Sequence, residues 1–126
     1  MDKFAALSSL AALAQDTRLD VFRLLVQAGG AGMLAGEVAE ALGVRQNTMS
    51  TNLAVLLNAG LVRKAREGRG IRYFADMDRM RGLLSYLLED CCGGRPESCR
   101  PLLDSLATPG DPDDRDSPQP RLRHLP

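Results

Sequence analysis

The chain has 126 residues, of which 44% are apolar, and a formal net charge of zero. That length suits one domain with a small core, and the absence of Trp leaves this core to Leu, Val, Ala and Met. No stretch approaches the roughly 20 apolar residues of a membrane span. The N-terminal run carries Asp2 beside Lys3 and lacks the regions of a secretory signal, so a cytoplasmic protein is expected.

In chain order, Phe4 to Gln15 set Phe4, Leu7, Leu10 or Ala11, and Ala14 at helical spacing. Asp16 and Thr17 are of the type that caps a new helix. That helix is expected over about Arg18 to Gln27, with Leu19, Val21, Phe22, Leu25 and Val26 as its apolar positions. The glycines of AGGAG at 28–32 break the pattern. A short helix is predicted near Ala35 to Leu42, ended by Gly43. Another is predicted from Gln46 to Asn58, with Met49, Leu53, Leu56 and Leu57 on one face and NAG at 58–60 closing it. The period then changes. LVRKAR at 61–66 and IRYFAD at 71–76 alternate as strands do, and EGRG at 67–70 reads as the hairpin turn between them. A last helix is predicted from Met77 to Glu89 through Met80, Leu83, Leu84, Leu87 and Leu88.

All three cysteines lie within CCGGRPESC, from Cys91 to Cys99, and from about Asp104 the chain is so rich in Pro and Asp that it is expected to be disordered. The expected division is therefore residues 1–90 as the folded domain, 91–103 as a cysteine-containing segment and 104–126 as a tail.

The order helix, glycine turn, helix, hairpin is the plan of a winged helix-turn-helix, mainly α with a β-hairpin wing. Ala39 is small enough for close helix approach, Gly43 makes the turn, and Val38, Leu42, Val44, Met49 and Leu53 supply the interior. After Arg45, the helix from Gln46 offers solvent a row of short polar groups: Gln46, Asn47, Thr48, Ser50, Thr51 and Asn52. A helix entering the major groove needs such donors and acceptors near its N-terminus. Arg69 and Arg72, at and beside the hairpin tip, are placed to reach phosphate or the minor groove. From Arg45 to Arg72 six basic residues stand against one acidic residue, so a chain with no net charge still has a locally positive face.

LAQDTRLDVFRLL, GEVAEALGVRQNTMSTNLAVLLNAGLV and REGRGIRYF resemble the ArsR family of bacterial metal-responsive repressors, over about residues 5 to 90. The resemblance implies a homodimer of winged helices joined by the first and last helices. It implies double-stranded operator DNA as partner, released when a metal or metalloid binds. By that likeness Gln46, Asn47, Ser50, Thr51 and Asn52 occupy recognition-helix positions, and Arg69 and Arg72 the wing.

Cys91, Cys92 and Cys99 are the candidate ligands of the inducer. Three thiols in a reducing compartment point to metal binding or redox chemistry over a disulfide framework. Ca²⁺ and Mg²⁺ want oxygen. Zinc wants four ligands, and the single histidine, His124, lies in the tail. Trivalent arsenic or antimony is soft and three-coordinate, so three thiolates satisfy it, and Arg95 and Arg100 favour the thiolate forms. Some arsenic-responsive members of the family carry a cysteine pair and a third cysteine at the C-terminal end. A zinc or cadmium site and a thiol redox or persulfide sensor remain as alternatives. A small thiol enzyme or metal chaperone fits less well. CCGGRPESC has no strand before it and helix after it to cradle an anion, nothing resembles a general base, and a chaperone has no need of the polar helix.

Overall fold

A computed structural model describes residues 1–89. The elements are α1 (Lys3–Leu13), α2 (Asp16–Ala28), a 3₁₀ turn at Gly29–Ala31, β1 (Met33–Leu34), α3 (Ala35–Leu42), α4 (Gln46–Asn58), β2 (Val62–Glu67), β3 (Gly70–Ala75) and α5 (Met77–Leu88). The mainly helical fold with a hairpin wing is as expected. The three strands form an antiparallel sheet in the order β1-β3-β2. Cys91, Cys92, Cys99 and the predicted tail lie outside the described residues.

The core is built where apolar residues recur at helical spacing. Val21, Phe22 and Leu25 of α2, Val38 and Ala39 of α3, and Met49, Leu53 and Leu56 of α4 are buried together with Leu61, Val62 and Ala75 at the base of the wing. Leu42 and Val44 pack against this cluster from the turn between α3 and α4. Gly43 ends α3 in the left-handed region at φ 65° and ψ 34°, a conformation open to glycine at little cost. The Val44 amide donates back to the Ala39 carbonyl at 2.9 Å, which swings the chain directly into α4.

One expectation is corrected and two features are added. The predicted face of α1 points outward: Phe4 is 82% exposed and Leu7 55% exposed, while the small residues Ala6, Ser9 and Ala12 are buried. Helical spacing finds a stripe without saying which stripe is covered, and here the narrow side lets α1 approach closely. The cap of α2 is Gln15, whose side-chain oxygen accepts from the Arg18 amide at 2.8 Å; Asp16 falls inside the first turn. β1 is an addition to the predicted elements, because two residues carry no period. It pairs Met33 with Tyr73 and Leu34 with Arg72 and so ties the wing to the start of α3. Gly32 before it has no substitute: φ is +61°, and a Cβ there would sit 2.6 Å from the Tyr73 carbonyl oxygen and the Phe74 ring.

Candidate nucleic-acid interface

The surface is set by α4. Met49, Leu53 and Leu56 anchor one side of the helix in the core, so the intervening positions face out. Gln46, Asn47, Thr48, Ser50 and Thr51 are exposed along the first two turns, and Arg45 stands exposed just before them. The Arg45 side chain makes no cap hydrogen bond at the helix start. The positive end of the helix dipole, next to the Arg45 guanidinium, is therefore open to a phosphate oxygen. Asn47 Oδ1 accepts from the Thr48 amide at 2.8 Å, and Thr51 Oγ1 donates to the Asn47 carbonyl at 3.1 Å. These bonds leave the Asn47 amide hydrogens for an external acceptor.

Asn52 does not belong to this row. It is only 6% exposed, and its side-chain oxygen accepts from Arg18 of α2. The expectation that it reads bases is corrected, for the side chain lies three residues beyond Met49 on the inward stripe.

The wing separates the two arginines predicted together. Its strands pair from Val62 with Ala75 out to Glu67 with Gly70, leaving a two-residue tip of Gly68 and Arg69. Gly68 has φ +60°, which suits a tight hairpin. Arg69 is exposed at this tip. Arg72 is engaged on the protein surface. Its guanidinium donates two hydrogen bonds to the Glu67 carboxylate, at 2.9 and 2.8 Å, and a third to the Ala31 carbonyl at 3.2 Å, with Glu37 of α3 4.0 Å away. Hydrogen bonding from Arg72 holds the Glu67 carboxyl below its ordinary pKa, and the same bonds raise that of Arg72. Arg72 thus braces the wing against the 3₁₀ turn and α3.

Lys64 and Arg66 are also exposed, on β2; the sequence reading counts both among the basic residues of the positive stretch without naming them as site residues. Arg63, on the opposite face, stacks its guanidinium 5.1 Å above the Phe74 ring, a cation–π contact that stiffens the hairpin. Among the described residues no group of three or more His, Cys, Asp or Glu is arranged to hold a metal ion, and no helix is long and apolar enough to cross a membrane.

This fold has known counterparts. A helix-turn-helix domain family matches residues 13–65. Among curated protein sequences none matches the chain. Solved structures do. An ArsR-like transcriptional regulator from Rhodococcus sp. RHA1 is 26% identical, over 84% of this chain and 95% of that one, with a TM-score of 0.60. HlyU from Vibrio cholerae N16961 is 26% identical, over 73% and 99% of the two chains, with a TM-score of 0.58; a reduced HlyU from the same organism matches at 25% identity, over 70% and 90%, with a TM-score of 0.54. The homodimeric winged helix-turn-helix DNA-binding domain Mb0332 from Mycobacterium bovis, described as a possible ArsR-family transcriptional regulator, is 30% identical over 67% of this chain and 76% of that one, with a TM-score of 0.56. With a winged helix-turn-helix relative 30% identical over two thirds of its length, the chain belongs to the ArsR family of winged-helix transcriptional regulators.

Proposed function

We propose that the protein is an arsenite-responsive repressor of an arsenic-resistance operon. It acts in the cytoplasm as a homodimer and leaves its operator when As(III) or Sb(III) is captured by the thiolates of Cys91, Cys92 and Cys99. The observation that carries the inducer assignment is the gathering of every cysteine of the chain within nine residues just after α5. Three thiolates fill the coordination shell of a pyramidal, soft, trivalent metalloid. The third helix, where many arsenic-responsive relatives keep their cysteines, has none here.

DNA binding rests on Arg45, Gln46, Asn47, Thr48, Ser50 and Thr51 of the α4 start with Arg69 of the wing, all exposed and on elements fixed by the core. Dimerisation rests on the outward apolar face of α1, which a protomer alone leaves in water. Two recognition helices held about one helical turn of DNA apart, roughly 34–36 Å, would meet successive major grooves. Capture of the metalloid next to α5 then has to favour the DNA-free dimer, with a coupling of about 1–3 kcal/mol.

The test is a binding titration on a duplex selected by the protein from a random library, with and without arsenite. Arsenite is expected to weaken binding about 5- to 150-fold, and the triple variant Cys91→Ser, Cys92→Ser, Cys99→Ser is expected to bind DNA and ignore arsenite. A variant that still responds would sink the inducer assignment.

A second reading has one observation in its favour, since a structural relative, HlyU, is known in a reduced form. On that reading the thiols respond to oxidation or persulfide. Loss of DNA binding on peroxide or persulfide treatment, with a sulfur crosslink in the mass spectrum and no effect of arsenite, selects it. A response to zinc or cadmium alone selects a metal site completed by other ligands.

A further inference from the structure

Two side chains that the DNA-reading surface does not use connect it to the rest of the fold. Arg18, in the first turn of α2, points into the space between α1 and α4. Its Nε donates to the carbonyl of Ala12 in the last turn of α1 at 2.6 Å, and its Nη1 donates to Asn52 Oδ1 of α4 at 3.4 Å. Ala12 is buried, Asn52 is 6% exposed and Arg18 is half-buried, so both bonds are partly shielded from solvent. The Ala12 carbonyl is among the last four of α1, which have no helical partner of their own and carry the negative end of the helix dipole. A guanidinium is the one side chain with rigidly forked donors that can serve this carbonyl and an amide oxygen at the same time.

The surroundings show why such a connection matters. Beside it lies an open groove of about 340 Å³ lined by Ser8, Ala11 and Ala12 of α1, Arg18, Val55 and Asn58 of α4, and Ala59 just after that helix. Ser8, Ala11 and Asn58 along it are exposed, so the close packing that Ala12 makes with the core does not extend across this side of the α1–α4 contact. A directional polar contact does. Asn52 is placed within the recognition helix, one residue from Thr51 and two from Ser50, and a shift at Asn52 moves both.

We propose that Arg18 is a positioning residue for DNA recognition: by holding Asn52 of α4 to the end of α1, it makes the orientation of the recognition helix depend on the helix that carries the outward apolar face. A rearrangement at that face reaches the base-reading side chains through this guanidinium as well as through the packing of Ala12. The proposal rests on the reading of α4 as the DNA-contacting helix, and it adds a residue that touches no DNA.

The experiment is a double-mutant cycle in the full-length chain, with Arg18→Met, Asn52→Leu and the double variant. Each is measured for affinity on the library-selected duplex, for affinity on an unrelated duplex of equal length across a salt series, and for its unfolding midpoint. Failure of the wild type to select any sequence would overturn the DNA-binding reading itself, separately from the role of Arg18. Given selection, each single variant is expected to weaken the selected complex about tenfold, corresponding to ~1.4 kcal/mol. The unrelated duplex and its salt slope should be unchanged, because no phosphate contact is removed. The double variant should lose little more than either single one, since both break the same link. Additive losses, or equal losses on both duplexes in step with the unfolding midpoint, would overturn the proposal. If Arg18→Met does not fold, Arg18→Lys takes its place in the cycle. It keeps the stem and the charge but lacks the fork, and the same outcomes decide.

Discussion

At the scale of single residues, chemistry and placement part company at Arg69 and Arg72. Both are of the type expected to meet DNA, and both lie in the wing, yet Arg69 stands exposed at the tip while Arg72 is engaged by Glu67 and the Ala31 carbonyl. Arg72 is held by Glu67, whose carboxyl it keeps ionised below the ordinary carboxylate range. A depressed carboxyl pKa contributes stability that is complete above the ordinary value near 4.5 and disappears as the pH falls through the lowered folded value. Glu67→Gln is therefore expected to lower the unfolding midpoint near neutral pH, and the gap from wild type should close on acidification below pH 4.5. Thermal melts of the two proteins across this range check it. The effect will be small, since the pair is exposed to solvent and screened by salt. A gap that persists unchanged in acid would mean that Glu67 matters for its shape and not its charge.

At the scale of elements, α4 was the most legible part of the chain. Its limits, Gln46 to Asn58, come from Met49, Leu53 and Leu56 recurring along one side between Arg45 and the NAG stop. Gly43 and the hairpin were equally readable, because a left-handed turn and a two-residue tip each require a specific residue type. What could not be read depends on partners distant in sequence. Asn52 looks like its neighbours until Arg18, 34 positions away, is seen to hold it. The direction of the α1 stripe depends on which helices lie behind it. From this division of faces comes a contrast within one helix. Leu53→Ala is expected to cost about 2–5 kcal/mol of stability through the cavity it opens. Ser50→Ala or Gln46→Ala should leave the unfolding midpoint in place and lower discrimination between operator and mismatched duplex by about 1–3 kcal/mol per lost base contact. Arg69→Ala should weaken all duplexes alike and reduce the salt slope by about one. Denaturant melts paired with competition binding separate these outcomes, and a loss of stability at Ser50 would contradict the assigned face.

At the scale of the whole molecule, the most telling feature is the side of α1 that nothing covers among the described residues. Phe4, Leu7 and Leu10 lie on one stripe of a helix whose opposite stripe is Ala6, Ser9 and Ala12. A helix that presents its large apolar residues to water and its small ones to its own core is built to be covered by something else. In a family with homodimeric DNA-binding members, a second copy of the chain is the natural cover. Phe4→Glu with Leu7→Glu tests this with little risk to the fold, because side chains exposed by 82% and 55% contribute little packing within the protomer. The variant is expected to keep its helical circular dichroism, to sediment as a monomer where the wild type sediments as a dimer, and to bind the selected duplex roughly 100-fold or more weakly, because two half-sites are then no longer engaged by one linked unit. On a duplex carrying a single half-site, wild type and variant should differ far less. A variant that remains dimeric would move the subunit contact away from α1, and Arg18 would then connect the recognition helix to a surface with some other partner.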